Sequence, residues 1–175
     1  APAIKNSTAS FQFEIPPRIG DFNNDGFLDL VLAYPAKGRV HVYYGREGRA
    51  DFTEPDDVIK VADGWSTGTY LEDLDGDGKP DLIAGVVRRF GIAEGIHVFL
   101  SGRVDIELHI HPMQAGGHFA KDPVQELKFS IPFTFQVTRE SGSFDLAFRP
   151  NFKGDFNRDG RRDLLVTADE KTLKI

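Results

Sequence analysis

Three nine-residue stretches constrain this chain more than any other feature. They are Asp21-Phe22-Asn23-Asn24-Asp25-Gly26-Phe27-Leu28-Asp29, Asp73-Leu74-Asp75-Gly76-Asp77-Gly78-Lys79-Pro80-Asp81 and Asp155-Phe156-Asn157-Arg158-Asp159-Gly160-Arg161-Arg162-Asp163. Each places oxygen-bearing side chains at positions 1, 3, 5 and 9, with glycine at position 6. Ten carboxylates fall within the three stretches, so each would repel itself unless a cation joined it. A hard divalent cation does so, and Ca²⁺ suits about six to eight oxygen ligands. The glycine permits the sharp reversal that brings positions 1, 3 and 5 to one point. Position 7 then supplies a backbone carbonyl, which is why Phe27, Lys79 and Arg161 can differ so freely. The expected ligands are therefore Asp21, Asn23, Asp25, Phe27 and Asp29; Asp73, Asp75, Asp77, Lys79 and Asp81; and Asp155, Asn157, Asp159, Arg161 and Asp163. Three bound Ca²⁺ ions would formally cancel the net charge of −6.

A helix-loop-helix calcium hand requires a bidentate Glu at position 12 and a helix after it. Position 12 here is Leu32, Ala84 and Val166. The residues after position 9 are short aliphatic runs, Leu30-Val31-Leu32, Leu82-Ile83-Ala84 and Leu164-Leu165-Val166, bounded by turn residues. Such runs read as strands. Fifteen Phe against one Met, with 18 Gly and 10 Pro, also favour strands and turns over long helices. The expected fold class is all-β.

The segments Gly20-Asp21-Phe22-Asn23-Asn24-Asp25-Gly26-Phe27-Leu28-Asp29-Leu30 and Gly154-Asp155-Phe156-Asn157-Arg158-Asp159-Gly160-Arg161-Arg162-Asp163-Leu164 resemble the FG-GAP/VCBS family. This is the calcium-loop repeat of integrin-α-type β-propellers and of many secreted bacterial proteins. The middle copy departs from the pattern, with Glu72 where the others have glycine. The resemblance implies a four-stranded blade per repeat, a metal loop joining one blade to the next, and calcium at the matching positions. It implies no single activity, since the family includes adhesion proteins, lectins and accessory domains of enzymes.

Internal repeats point the same way. The loops begin at residues 21, 73 and 155. Arg39-Val40-His41-Val42-Tyr43 corresponds to Glu107-Leu108-His109-Ile110-His111, and Pro55-to-Lys60 falls on Pro123-to-Lys128. The second repeat is thus the first with two insertions. One lies in a hairpin between Val87 and Val104, where 88–103 fits either a short helix with Ile92, Ile96, Phe99 and Leu100 on one face, or a strand. Phe11-Gln12-Phe13-Glu14-Ile15-Pro16 echoes Leu127-Lys128-Phe129-Ser130-Ile131-Pro132. The organisation expected is a tail of a preceding blade (1–20), repeat 1 (21–72), repeat 2 (73–154) and the start of repeat 3 (155–175). That is about three blades, where propellers close with about four to eight. Either a larger parent chain supplies the remaining blades, or two copies meet edge to edge.

Other chemistries fare less well. The acidic net charge and the lack of a basic stripe argue against nucleic acid. No apolar run approaches the roughly 18–20 residues of a membrane helix, so no membrane insertion is expected. Gly64-Trp65-Ser66-Thr67-Gly68 matches the nucleophile-elbow pattern, but that motif needs a helix after it, and here a metal loop follows closely. His109, His111 and His118 could hold a transition metal, although exposed strand histidines explain them more simply. Trp65, Tyr43, Tyr44 and Tyr70 could stack on a sugar, although packing within and between blades is the better reading. No enzyme activity is expected. The function expected is a calcium-stabilised extracellular, cell-surface or periplasmic binding module for a protein or carbohydrate ligand. The alternative is the non-catalytic propeller portion of a larger secreted enzyme.

Overall fold

The computed structural model describes residues 15–49, 52–61, 64–88, 91–137, 142–146, 150–167 and 173–174. The motif copy at Phe11–Glu14 lies outside them, as does the side chain of Trp65.

Each aliphatic run after a metal loop forms a strand, and each pairs backward with a strand that precedes the loop. The first sheet is β1 (Arg18–Gly20), β2 (Asp29–Tyr34), β3 (Arg39–Tyr43) and β4 (Asp57–Lys60), antiparallel and in chain order. The second is β5 (Gly64–Glu72), β6 (Asp81–Arg88), β7 (Arg103–His111), β8 (Gln125–Val137) and β9 (Gly142–Leu146), also in chain order. The third is β10 (Asn151–Gly154), β11 (Asp163–Thr167) and β12 (Leu173–Lys174). These are antiparallel sheets of partial propeller blades, with an α-helix, α1 (Ile92–Ser101), between β6 and β7. The long extension of β8 and its pairing with β9 add a fifth strand that four-stranded blades do not predict.

The pairing corrects the place of the metal loop. Gly20 pairs with Asp29, Glu72 with Asp81 and Gly154 with Asp163. Each loop therefore joins the first and second strands of one sheet and does not connect one blade to the next. The three residues before loop 1 belong to the same sheet as the strand after it, because the loop reverses the chain onto its own path.

The repeat alignment holds at the level of register. His41 faces Leu32, the twelfth position from the start of loop 1, and His109 faces Ala84, the twelfth from the start of loop 2. Likewise Arg39 faces Lys60, and Glu107 faces Lys128. The insertion between β6 and β7 is helical, so the strand alternative for 88–103 falls away. Gly102, with φ of 61°, closes the helix by donating its N–H to Val98 O at 3.0 Å. Val98 seats α1 on Val87, Val104, Ile106 and Ile131. The apolar face formed by Ile92, Ile96, Phe99 and Leu100 points away from the sheet and is exposed.

The core lies between sheets. Val31, Val40, Val42, Tyr44, Ile59 and Val61 of the first unit pack on Leu82, Ala84 and Val86 of β6. On the opposite face of the second sheet, Ile83, Leu108 and Ile110 pack with Phe152, Tyr70 and Leu164. Strand β6 is thus covered on both faces, which its nearly continuous apolar run requires.

Candidate metal centres

The three loops fold by one internal scaffold. Position 9 is the first residue of a strand in every case, so sheet pairing fixes its backbone. Its carboxylate turns back and accepts the N–H of position 2: Phe22 to Asp29 at 2.8 Å, Leu74 to Asp81 at 2.9 Å and Phe156 to Asp163 at 2.6 Å. Asp29 also accepts the N–H of Gly45 at 2.8 Å. The position-1 carboxylate accepts the glycine N–H of position 6, from Gly26, Gly78 and Gly160 at 2.9, 3.0 and 3.0 Å. Position 3 accepts from the N–H of position 5, and position 5 from the N–H of position 7. Together these bonds wrap the backbone N–H groups around positions 1, 3 and 5 and gather their side chains.

Two residues per loop take the left-handed conformation. Position 6 is glycine throughout, with φ of 89°, 84° and 86°. Position 4 is Asn24, Gly76 and Arg158, with φ of 60°, 80° and 62°. Sequence reading caught the first and missed the second, because three unlike residues share that conformation.

In loop 2 the carboxylates of Asp73, Asp75 and Asp77 each offer an oxygen within 4.8 Å of the others. In loops 1 and 3 an asparagine replaces the middle carboxylate, and its amide donates to the position-5 carboxylate: Asn23 to Asp25 at 2.9 Å and Asn157 to Asp159 at 3.1 Å. Burial pushes the Asp81 carboxyl up to about 6, with Asp75, Asp77 and Asp73 adding to the rise against the Leu74 N–H. Burial raises Asp29 in the same direction, opposed by its bonds from Gly45 and Phe22. Hard oxygen donors, close like charges and carboxyls held above their usual range are the conditions that a divalent cation relieves, and the donor set fits Ca²⁺.

A second group, Glu107, His109 and Glu126, also brings ligand atoms together. Its charges are already balanced. Arg88 Nε donates to both oxygens of Glu107 at 2.7 and 2.8 Å, and Lys128 Nζ lies 3.1 Å away. His109 Nε2 donates to the same carboxylate at 3.2 Å. This is an ion-pair network on a sheet face.

The histidines do not converge. His111 donates from Nδ1 to the Ala120 carbonyl at 2.9 Å, and His118 donates to Asp57 at 2.8 Å. Nor are they all exposed strand residues: His109 and His111 are buried, 3% and 0% exposed. They share a face with Ala84 and Leu82, which the first sheet covers. Burial pushes the His111 imidazole below its ordinary range. Ser66 sits within β5 and is 1% exposed, with strand on both sides, so it forms no nucleophile elbow. Tyr43 and Tyr44 are buried and Tyr70 stacks against Phe152 at 5.6 Å, so the tyrosines serve packing.

Among the described residues, no helix is long and apolar enough to cross a membrane. Residues 21–84, from the first loop into β6, match the family model described as FG-GAP-like repeat. Integrin alpha-6 of Gallus gallus is 30% identical over 111 residues, which cover 57% of this chain and 10% of that relative. The chain therefore spans about a tenth of the length of the curated relative it matches. Residues 21–84 therefore carry an FG-GAP-like repeat by sequence, and the loop scaffold found there at 21 and 73 is built again at 155.

Proposed function

We infer that this chain is a calcium-stabilised binding module whose three loops each hold one Ca²⁺. The ligands are the side chains at positions 1, 3, 5 and 9 and the carbonyls of Phe27, Lys79 and Arg161. The carrying observation is that one oxygen scaffold is built three times at the turn between the first two strands of a sheet. There the ion ties the turn to the strand that opens with position 9. The role is structural: a cation relieves the loop carboxylates, and the sheets present their outer surfaces to a partner. Repeats of this type in an integrin relative favour a protein ligand, with carbohydrate as the other candidate. An adhesion or ligand-binding role, with no catalysis by this segment, follows from the same reading. Extracellular modules hold calcium with affinities of about 10⁻⁴ to 10⁻³ M, which suits a secreted or surface location. The repeats at 21–72, 73–154 and 155–175 are read as consecutive units of one propeller array.

Thermal unfolding in chelator and in millimolar calcium tests this. Each site stabilises by about 2.7 kcal/mol at a hundredfold excess of calcium over Kd, so the melting temperature rises with calcium. Superimposable melts in the two conditions would remove the calcium reading.

A further inference from the structure

The second and third loops touch each other. Arg162 occupies position 8 of loop 3, directly before the ligand Asp163, and its backbone N–H donates to Leu74 O in loop 2 at 3.2 Å. Its guanidinium Nη1 meets Glu72 Oε2 at 2.5 Å, and Glu72 directly precedes the ligand Asp73. A Cβ on Gly76, at position 4 of loop 2, would lie 3.0 Å from the carbonyl oxygen of Gly160, at position 6 of loop 3. Three contacts therefore join segments that each sit within one or two residues of a ligand. Glu72, which breaks the glycine pattern of the other two repeats, is one of the contact residues.

The charges of the two loops are complementary. Loop 2 with Glu72 carries five acidic side chains against Lys79. Loop 3 carries three aspartates against Arg158, Arg161 and Arg162 and is formally neutral. Loop 2 draws a cation strongly, and loop 3 draws one weakly on charge alone. The exposed Glu72–Arg162 pair contributes little by itself. The backbone bond and the close approach of Gly76 to Gly160 transmit position.

We propose that loops 2 and 3 form a coupled calcium pair, in which filling loop 2 orders loop 3 and raises its affinity, while loop 1 fills independently. This rests on the calcium reading of the loops. Ordering 73–77 fixes the Leu74 carbonyl and Glu72, which hold Arg162 and so present Asp163. By linkage the coupling is reciprocal.

The experiment is a calcium titration of the 175-residue chain, following by NMR the backbone amides of Gly26, Gly78 and Gly160, one reporter per loop. In Asp77→Asn, the midpoint at Gly160 moves to higher calcium by about fivefold or more, within the usual range of coupling, and the midpoint at Gly26 stays where it was. In Asp159→Asn, the midpoint at Gly78 moves by less than this, because loop 2 fills before loop 3 and only the later site shows the full coupling factor. A Gly160 midpoint that shifts no more than that of Gly26 would overturn the coupling and leave calcium binding intact. Glycine amides that ignore calcium altogether would overturn the calcium reading, and the coupling with it.

Discussion

Phe22 folds its ring back over Gly20, so that a Cβ on Gly20 would lie 2.7 Å from the ring atom Cε1. The third loop repeats the arrangement, with a Cβ on Gly154 falling 2.5 Å from Phe156 Cε2. The second loop has Leu74 in place of phenylalanine, and there Glu72 is tolerated. The two rings differ in their freedom. Phe22 packs against the core between the first two sheets, whereas Phe156 is 57% exposed. Gly20→Ala is therefore expected to cost about 1–2 kcal/mol through displaced packing, and Gly154→Ala less than about 0.5 kcal/mol. Leu74→Phe should destabilise the second loop, and adding Glu72→Gly should restore it. Urea unfolding of the four variants checks both statements, and equal costs at Gly20 and Gly154 would contradict the first.

Position 4 of each loop is left-handed, at a cost that depends on its residue. Gly76 carries no penalty for φ of 80°, while Arg158 bears one at 62°. Gly76→Ala is expected to lose about 1–2 kcal/mol, with the Gly160 carbonyl adding to the crowding. Arg158→Asn is expected to gain a few tenths of a kcal/mol to about 1 kcal/mol, because asparagine tolerates this conformation. Chemical denaturation in calcium-free buffer measures both without a binding contribution.

The loops and the strands after them were legible because their residue types admit few other structures. Positions 1, 3, 5, 6 and 9 are set by ligand chemistry and backbone reversal, and the aliphatic run after Asp29, Asp81 and Asp163 has no other place than a buried strand. Register could be read from the matched pairs His41 with His109 and Lys60 with Lys128. The phase of the sheets could not, since Arg18–Gly20 is too short to show alternation and its partner lies across the loop. Burial of equivalent residues also escaped sequence reasoning. His41 and His109 hold the same repeat position, yet His41 is half-buried on an outer face while His109 lies under the first sheet. Only the order of sheets decides that. The segment with Ile92, Ile96, Phe99 and Leu100 fitted a helix or a strand by sequence, and the direction of the helical face depends on Val98 being the residue that docks.

Tyr44 joins the first sheet to the loop between β7 and β8. Its hydroxyl oxygen accepts the buried N–H of Phe119 at 3.0 Å, and its ring meets His118 edge-on at 4.8 Å. Burial raises the phenol well above its ordinary range, so the group stays neutral. Tyr44→Phe keeps the ring and orphans the Phe119 N–H, at an expected cost of about 1–3 kcal/mol. Phe119 itself is 1% exposed and packs in the same cluster, so this amide has no route to solvent in the folded state. Hydrogen exchange at Phe119 is expected to accelerate in the variant more than at Val42, and equal acceleration at both would mean that only global stability changed.

Glu107 gives the clearest pH dependence. Burial works to raise its carboxyl, but the bonds from Arg88, His109 and Lys128 outweigh burial and bring it down to about 2 from an ordinary value of 4.5. A carboxyl lower in the folded state than in the unfolded state contributes its full stabilisation above the unfolded value. That contribution is lost as pH falls through the folded value. The window for Glu107 is therefore from about pH 4.5 down to about pH 2. The partners Arg88 and Lys128 are 55% and 64% exposed, which discounts the ion pairs, and about 1–3 kcal/mol at neutral pH is the expected total. Glu107→Gln keeps the shape and removes the charge, so its deficit against the unmodified chain should be constant from neutral pH to about pH 5 and shrink below about pH 4.5. Urea unfolding of both proteins at a series of pH values, with calcium chelated so that the loop carboxylates contribute equally to each, isolates the term. A deficit that stays constant through pH 3 would show that Glu107 acts through packing alone.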